Sequence, residues 1–176
     1  MFRRVPPLLL LIPLALVSAC GGSGTDTAPR AAVTGLSPSS SATASPPEEP
    51  SAPSALRLLD SAPAGERALS GQVLLSPDRT SITLDLVGLQ SAATYMAHVH
   101  EQTCADGVGG PHLKLDPAGS SKPPNEIHFM LHTAAGETKA AATETRTQPL
   151  PDRARSAVVH DAAGTKIACA DLPSPS

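Results

Sequence analysis

The segment SITLDL at residues 81–86 alternates apolar Ile and Leu with polar Ser, Thr and Asp. An alternation of period two predicts a strand with one buried and one solvated face. The turn-forming segment SPDR at residues 76–79 precedes this strand and Gly88 follows it, so turn chemistry marks both ends. Seven more short β-type segments recur between turn signals: Ala55–Leu59, Leu69–Leu75, Tyr95–His100, Glu126–His132, Lys139–Thr145, Ser156–Asp161 and Lys166–Leu172. About eight short strands without convincing helices predict an all-β fold, an antiparallel sandwich or barrel.

The composition narrows the classes of function. The chain has 176 residues, with 13 Lys and Arg against 16 Asp and Glu, and a formal charge of −3. This balance argues against a nucleic-acid binder or a polybasic membrane surface. Aromatic residues make up 2% and Trp is absent, which argues against base-stacking platforms and aromatic ligand pockets. Most of the 19 prolines fall outside the apolar periodic segments, so we expect one modest globular domain with disordered extensions.

Residues 1–20 have the features of a bacterial lipoprotein signal peptide. Arg3 and Arg4 give a positive start, and the apolar stretch at residues 8–17 is short for a membrane span. The ending VSAC at residues 17–20 resembles the lipobox of bacterial lipoproteins, in which the cysteine becomes the lipidated first residue. Lipidation of Cys20 would anchor an exported protein to the outer face of the bacterial cell membrane. An ordinary signal peptide with an incidental cysteine is the alternative.

The rest of the chain divides by composition. Residues 21–53 are rich in Ala, Ser and Pro and are expected to form a disordered linker that holds the domain off the lipid. The β domain is expected at residues 54–172, with a frayed tail at 173–176. Within the domain, the gap from Glu101 to Pro124 is rich in Gly, Pro, Lys and Asp. Loops of that length in a small domain are usually functional or disordered.

All six histidines lie between residues 98 and 160. In His98-Val99-His100 the imidazoles are two residues apart on a strand, about 6.6 Å at Cα, so they project from one face while Val99 points to the other. Two solvated histidines are the alternative for this pair taken alone. His112 follows in the long loop, and His160 ends a strongly apolar strand. Four histidines from three separate segments are what a three- or four-nitrogen copper site needs, because imidazole suits Cu and Zn.

Four short segments carry a resemblance to a known family. HVHE at residues 98–101, GPH at 110–112, VVHD at 158–161 and AC at 168–169 resemble, in order, the HVHE, GPHF, VVHE and LACG segments of copper-zinc superoxide dismutases. The resemblance covers about residues 68–172. It implies an eight-stranded antiparallel Greek-key barrel or sandwich, with copper as the cofactor and superoxide as the substrate.

The resemblance also implies roles for individual histidines. His98, His100 and His160 would be copper ligands. His112 would occupy the position of the imidazolate that bridges two metals in the family, so it counts as a further metal ligand and as the residue that carries a proton in catalysis.

Cys104 and Cys169 match the intrasubunit disulfide of the family. Cys20 is assigned to the lipid, which leaves these two cysteines for an exported, oxidising setting. Closing their 65-residue separation would stabilise the native state by about 4 kcal/mol through loop-closure entropy. Two free thiols are the alternative.

The zinc half of the family's site is incomplete in this sequence. The family places two more histidines and an aspartate after the bridging position, whereas residues 113–127 hold no histidine and Leu131 stands where the aspartate is expected. His128 and His132 would lie about 13 Å apart on one strand, too far to bind one ion without a bend. The chain is therefore similar to the copper-only branch of the family, and zinc is doubtful.

In that branch a carboxylate orients the bridging-position histidine. Glu126 is the candidate for this supporting role, with a solvated strand residue as the alternative.

Only residues 161–165 separate His160 from Lys166, where the family has a long anion-steering loop and an arginine. Lys166 would still offer positive charge to an approaching superoxide. A flexible ammonium does not reproduce the fixed donors of a guanidinium, so we expect weaker anion steering and a lower rate.

We therefore expect a copper-only superoxide dismutase that disproportionates superoxide to dioxygen and hydrogen peroxide. The alternative is a non-catalytic cell-surface protein of the same fold that binds or buffers copper. In that case Met130, between His128 and His132, would add a soft Cu(I) contact, although packing is the commoner role of a methionine on a strand. No Gly-rich phosphate loop, GxSxG or HExxH motif supports another enzyme class. The oligomeric state stays open.

Overall fold

The computed structural model describes residues 51–175, and within them the fold is nearly all β. The predicted signal peptide, the lipidation site at Cys20 and almost all of the predicted linker lie outside the described residues. Nine strands lie in this range: β1 (Ser54–Ala55), β2 (Arg57–Leu58), β3 (Ser70–Leu75), β4 (Ser81–Val87), β5 (Thr94–His100), β6 (His128–His132), β7 (Lys139–Thr145), β8 (Ser156–His160) and β9 (Lys166–Asp171). Two single-turn 3₁₀ helices, Ala64–Glu66 and Gly107–Gly109, complete the regular structure of these residues. Along the same stretch, no helix has the length and hydrophobicity that a membrane span needs.

The strands form two antiparallel sheets, one of four strands in the order β1-β3-β4-β7 and one of five in the order β2-β9-β8-β5-β6. The all-β antiparallel prediction is confirmed, as two sheets that do not close into a barrel. Each predicted strand segment contains a strand, but the first one is divided. Ser54–Ala55 pairs with β3, and Arg57–Leu58 pairs with β9 in the other sheet. A single edge segment therefore contributes to both sheets, which raises the strand count from eight to nine.

The core lies between the two sheets. In β4 the predicted alternation is confirmed, since Ile82, Leu84 and Leu86 are at most 2% exposed while their neighbours are partly solvated. Opposite them, β5 and β6 contribute buried Tyr95 and Phe129 from the five-stranded sheet. Each such side chain adds about 1.5–3 kcal/mol by leaving water, so the sandwich rests on its apolar interior.

The outer face of the five-stranded sheet is covered by the loop of residues 101–127. A second, smaller apolar cluster lies there, with Cys104 and Val158 packed against Cys169 and Leu59. The Cys104–Cys169 disulfide is present, with the two Cα atoms 5.8 Å apart, and confirms the predicted pairing. It ties the loop to β9 across a sequence separation of 65 residues. The loop therefore encloses a space on the outside of the sheet, away from the main core.

Candidate metal centre

Four histidines meet in that space. His98 and His100 come from β5, His160 from the end of β8, and His112 from the covering loop. Each offers one ring nitrogen, and these four atoms all lie within 4.8 Å of one another. The sequence analysis predicted this convergence, and the structure brings all four residues together as a group that can hold a metal ion.

Strand geometry places the two histidines of β5. Val99 is 1% exposed and belongs to the core between the sheets, so His98 and His100 point to the outer face. On the neighbouring strand, His160 lies opposite Met96 of β5. The ring of His98 is 5.0 Å from that of His160, centroid to centroid. Antiparallel pairing therefore brings three of the four histidines to one face of the sheet.

His112 reaches the group because the loop folds back along β5. His112 forms an isolated antiparallel bridge with His100, and the Leu113 N–H donates to the Val99 carbonyl over 2.8 Å. The preceding glycine pair makes this approach possible. Gly109 has φ +81°, and a Cβ there would come within 2.7 Å of Val158. Only glycine accommodates both the positive φ and the close contact.

Backbone carbonyls fix the tautomers of two of the histidines, His100 and His160. His100 Nδ1 lies 3.0 Å from the Gly110 carbonyl, and His160 Nδ1 lies 3.2 Å from the Gly164 carbonyl. A carbonyl can only accept, so each Nδ1 carries the proton and each Nε2 keeps its lone pair. Both Nε2 atoms are buried and have no hydrogen-bond partner within residues 51–175. The two lone pairs are thus free for an ion.

A carboxylate fixes the third ring. His112 Nδ1 lies 3.0 Å from Glu126 Oε2, and His128 Nε2 lies 3.3 Å from the same oxygen. Glu126 is 4% exposed, just before β6 begins, where it bridges to Lys114. Burial pushes the pKa of the Glu126 carboxyl upward, but hydrogen bonds involving His112, His128 and Ser121 outweigh it and hold the pKa below its ordinary value. An ionised Glu126 accepts a hydrogen bond from the Nδ1–H of His112, which leaves His112 Nε2 as the nitrogen available to bind a metal.

Burial keeps three of the four imidazoles neutral. Burial lowers the pKa of His98 and of His100 to about 3, and repulsion from His112 adds to the effect. Burial also lowers the pKa of His160. The Nδ1 atom of His98 is a further buried nitrogen to which the described part of the chain offers no hydrogen-bond partner. Neutral imidazoles are the form that binds metals, because protonation would remove the lone pair.

Lys166 lies beside the four histidines, but its ammonium is hydrogen-bonded to backbone carbonyls. Its ammonium donates to the carbonyls of Val108 and Gly110, both over 2.9 Å. Burial lowers its pKa. Because Gly110 also accepts from His100, Lys166 stabilises the loop segment that orients a candidate ligand.

A cavity of about 380 Å³ leads to the group from solvent. His98, His112 and His160 line it together with Met96 and Asp161. The Asp161 carboxylate accepts the backbone N–H groups of Ala163 and Thr165 in the short turn after β8. A small anion therefore has access to the histidines past one fixed negative charge.

Several supporting residues escaped the sequence analysis. The sequence did not predict a role at the site for the carbonyls of Gly110 and Gly164 or for the carboxylate of Asp161. The sequence feature that could have indicated them is a glycine in a tight turn next to a candidate ligand. His128 was left without a role, yet it donates to Glu126 and its ring lies 4.4 Å from that of His98. His132 lies at the exposed end of β6 and bonds Thr94 instead.

The residues present fit a copper ion. Four imidazole nitrogens, three of them buried without a hydrogen-bond partner among the described residues, suit copper or zinc better than a hard cation that prefers oxygen. The fold and the site define an all-β, disulfide-braced domain with a four-histidine centre. A scan against protein-family models gives no match, and a search of curated proteins gives none either.

Proposed function

We propose that the chain is a copper-only superoxide dismutase, related to the copper-zinc superoxide dismutases that its motifs resemble. The observation that carries the proposal is that hydrogen bonds fix the tautomers of three of the four rings. The carbonyls of Gly110 and Gly164 and the carboxylate of Glu126 each accept a hydrogen bond from the Nδ1–H of one ring, which leaves the three Nε2 lone pairs free. The ligand atoms of the four histidines lie within 4.8 Å of one another. A centre arranged in this way binds an ion at little cost in reorganisation.

Copper, when bound, supplies the one-electron exchange by which one superoxide is oxidised to dioxygen and a second is reduced to peroxide. The residues supply position, access and protons. His98, His100 and His160 are buried on rigid strands and would hold the ion throughout. Their fixed directions favour a low reorganisation energy during redox cycling.

His112 is suited to move a proton. Its side chain is 35% exposed, far more than the other three rings, and it lines the open cavity. The Nδ1 proton stays on the His112 ring, hydrogen-bonded to Glu126, so Nε2 is the atom that would take a proton from water and pass it to the reduced product. Two protons are consumed for each pair of superoxide ions, and His112 would deliver one of them.

Glu126 is proposed to do what a zinc ion does in the relatives with two metals. It fixes the His112 ring through a single charged hydrogen bond of 3.0 Å. His128 donates to the same oxygen and steadies the carboxylate. This arrangement supports a centre that works with copper alone.

The proposal extends to the Greek-key connection of the strands and to the location of the protein. Disulfides persist in oxidising compartments, and Cys104–Cys169 supports export to the cell surface or periplasm. A lipid at Cys20, the last residue of the predicted signal peptide, would anchor the domain to the outer face of the membrane.

The proposal is tested with the full chain loaded with one equivalent of copper. Superoxide decay is followed after pulse radiolysis for the native protein, His112→Asn and the control His132→Asn. We expect His112→Asn to keep copper and lose at least about tenfold in rate, and His132→Asn to match the native protein. A native rate no greater than that of buffer, or an unchanged rate in His112→Asn, would refute the proposal.

Metal analysis tests the copper-only part separately. The protein is refolded with copper and zinc together and examined by electron paramagnetic resonance. One copper per chain in a nitrogen field, without zinc, is the expected result. Equimolar zinc would refute the copper-only assignment while leaving the dismutase activity to the kinetic test.

A second candidate function, copper binding without turnover, is favoured by one observation. Lys166 donates to two carbonyls, and the charged residue that lines the cavity besides the histidines is Asp161. An anion is poorly attracted by such an entrance. A protein that holds one copper tightly but produces no peroxide from superoxide would support this second function.

A further inference from the structure

Two methionines face each other on the outside of the five-stranded sheet. The chain has three methionines, Met1, Met96 and Met130, and the last two are directly opposite residues of β5 and β6. Met130 is 49% exposed, and Met96 is partly exposed. A methionine that exposes half of its surface contributes little to packing, so hydrophobic burial does not explain the position of Met130.

The contacts on either side show which way the two side chains project. The ring of His98 lies 4.4 Å from that of His128, and Thr94 Oγ1 lies 3.0 Å from His132 Nδ1. These are the cross-strand pairs directly before and after the methionines on the same face, because alternate residues of a strand share a face. Opposite Cβ atoms in such a pair are about 4.5–5.5 Å apart. Two flexible thioether side chains at that separation can bind one ion.

The pair leads to the four-histidine group. Met96 lies opposite His160 on its other side, in the pairing of β5 with β8. Met96 and His160 also line the same cavity as His98 and His112. A row of donors therefore crosses three neighbouring strands, from exposed Met130 through Met96 to buried His160, with adjacent strands about 4.8 Å apart.

We propose that Met96 and Met130 form a Cu(I) entry site that passes the ion to His160. Thioethers are soft, uncharged ligands that select Cu(I) over zinc and over hard cations. A two-sulfur site at the surface binds the ion loosely enough to release it to a four-nitrogen centre. Only the destination of the ion rests on the proposed function; the binding of Cu(I) by the two sulfurs does not.

The first test detects binding at the sulfurs directly. The full chain is labelled with ¹³C at the methionine methyl groups and titrated with Ag(I), a redox-inert stand-in for Cu(I). The Met96 and Met130 signals are assigned from Met96→Leu and Met130→Leu. We expect both signals to shift together, and each variant to weaken Ag(I) binding at the remaining methionine by about tenfold or more. An unshifted Met130 signal, or a Met130 shift that is unchanged in Met96→Leu, would overturn the proposal.

The second test measures delivery. Transfer of Cu(I) from a coloured Cu(I) chelate to the metal-free chain is followed by absorbance. The double variant Met96→Leu/Met130→Leu is expected to load about tenfold more slowly and to reach the same final copper content. Val87 is the other exposed large apolar residue of the described chain, at 39%, and lies in the four-stranded sheet. Adding Val87→Met to the double variant restores a thioether elsewhere and should not restore the rate.

The two proposals fail in different ways. Equal loading rates for the native chain and the double variant would overturn the entry site, whatever the dismutase activity. A slower double variant whose fully loaded protein, like the native one, does not dismutate superoxide would support the entry site and refute the enzyme.

Discussion

Acidification of the metal-free chain from pH 6 to pH 5 should weaken the fold through its buried imidazoles. Burial lowers the pKa of His98 and of His100 to about 3 in the folded chain, whereas an unfolded histidine titrates near 6.5. Between about pH 3 and pH 6.5 these histidines are protonated in the unfolded chain but stay neutral in the folded chain. Acid therefore favours unfolding, and the stability that is present above pH 6.5 is lost as the pH falls toward 3.

The size of the effect follows from linkage. One histidine that stays neutral in the folded state lowers the free energy of unfolding by about 1.2 kcal/mol between pH 6 and 5. His98 and His100 together would give about twice that, and solvent in the adjoining cavity reduces the sum to about 1–2 kcal/mol. The lowered pKa of His160 acts in the same direction. Glu126 and Asp78 have pKa values held below their ordinary ones, so their contributions are lost at lower pH than this window.

Urea unfolding measures this effect in the metal-free chain with its disulfide intact. Tyr95 is the one tyrosine of a chain without Trp and is buried, so its fluorescence reports the core. With a urea slope of about 2 kcal/mol per molar, the middle of the usual range, the midpoint should fall by roughly 0.5–1 M. His100→Gln should show about half of the shift, and the exposed control His132→Gln should show all of it. Equal midpoints at pH 6 and 5 for the native chain would refute the burial argument.

Three further changes test the surroundings of the site. Replacing both Cys104 and Cys169 by Ser should lower the free energy of unfolding by about 4 kcal/mol through loop-closure entropy, measured by urea unfolding; a loss below about 1 kcal/mol would contradict it. Glu126→Gln should retain copper while the dismutase rate drops about tenfold or more and the paramagnetic resonance spectrum changes; an unchanged spectrum and rate would remove its orienting role. Asp161→Asn keeps a side-chain oxygen for the turn and removes a charge from the cavity, so superoxide decay should quicken at low salt and the gain should fade as salt is added.

The strands and the shared face of His98 and His100 could be predicted because both depend on local period and spacing, whereas the convergence of His112 and His160 on the same site was implied by the family resemblance. The alternation around Leu84 predicted which face of β4 is buried. The two-residue spacing of His98 and His100 predicted that both lie on one face of β5. The division of Ala55–Leu59 between two sheets could not be predicted. It depends on which edge has free backbone groups, since Leu56 N–H donates to Gly71 and Leu59 N–H donates to Ile167.

The hydrogen bonds that set the tautomers also lay beyond sequence reasoning. They use the carbonyls of Gly110 and Gly164, and every residue has a carbonyl, so composition and spacing do not single these out. Glu126 was a candidate from its position, but its alternative as a solvated strand residue is excluded by its 4% exposure. Its contact with His112 depends on the bridge between Lys114 and Glu126, a pairing within one loop that no periodic pattern marks.

The position of the site outside the sandwich explains why the covering loop matters. His98 and His160 stand on paired strands, and their positions follow from the sheet. His112 lies in the loop, and His100 is oriented by Gly110 of the same loop. The loop is held at Cys104 by the disulfide and at Gly110 by Lys166. Loosening these two attachments should therefore free the His112 and His100 rings first, while the rings of His98 and His160 keep their directions. A four-nitrogen group that loses half of its preorganised donors should bind copper more weakly even where the strands remain folded. The disulfide and the Lys166 contacts are therefore expected to strengthen metal binding through the loop.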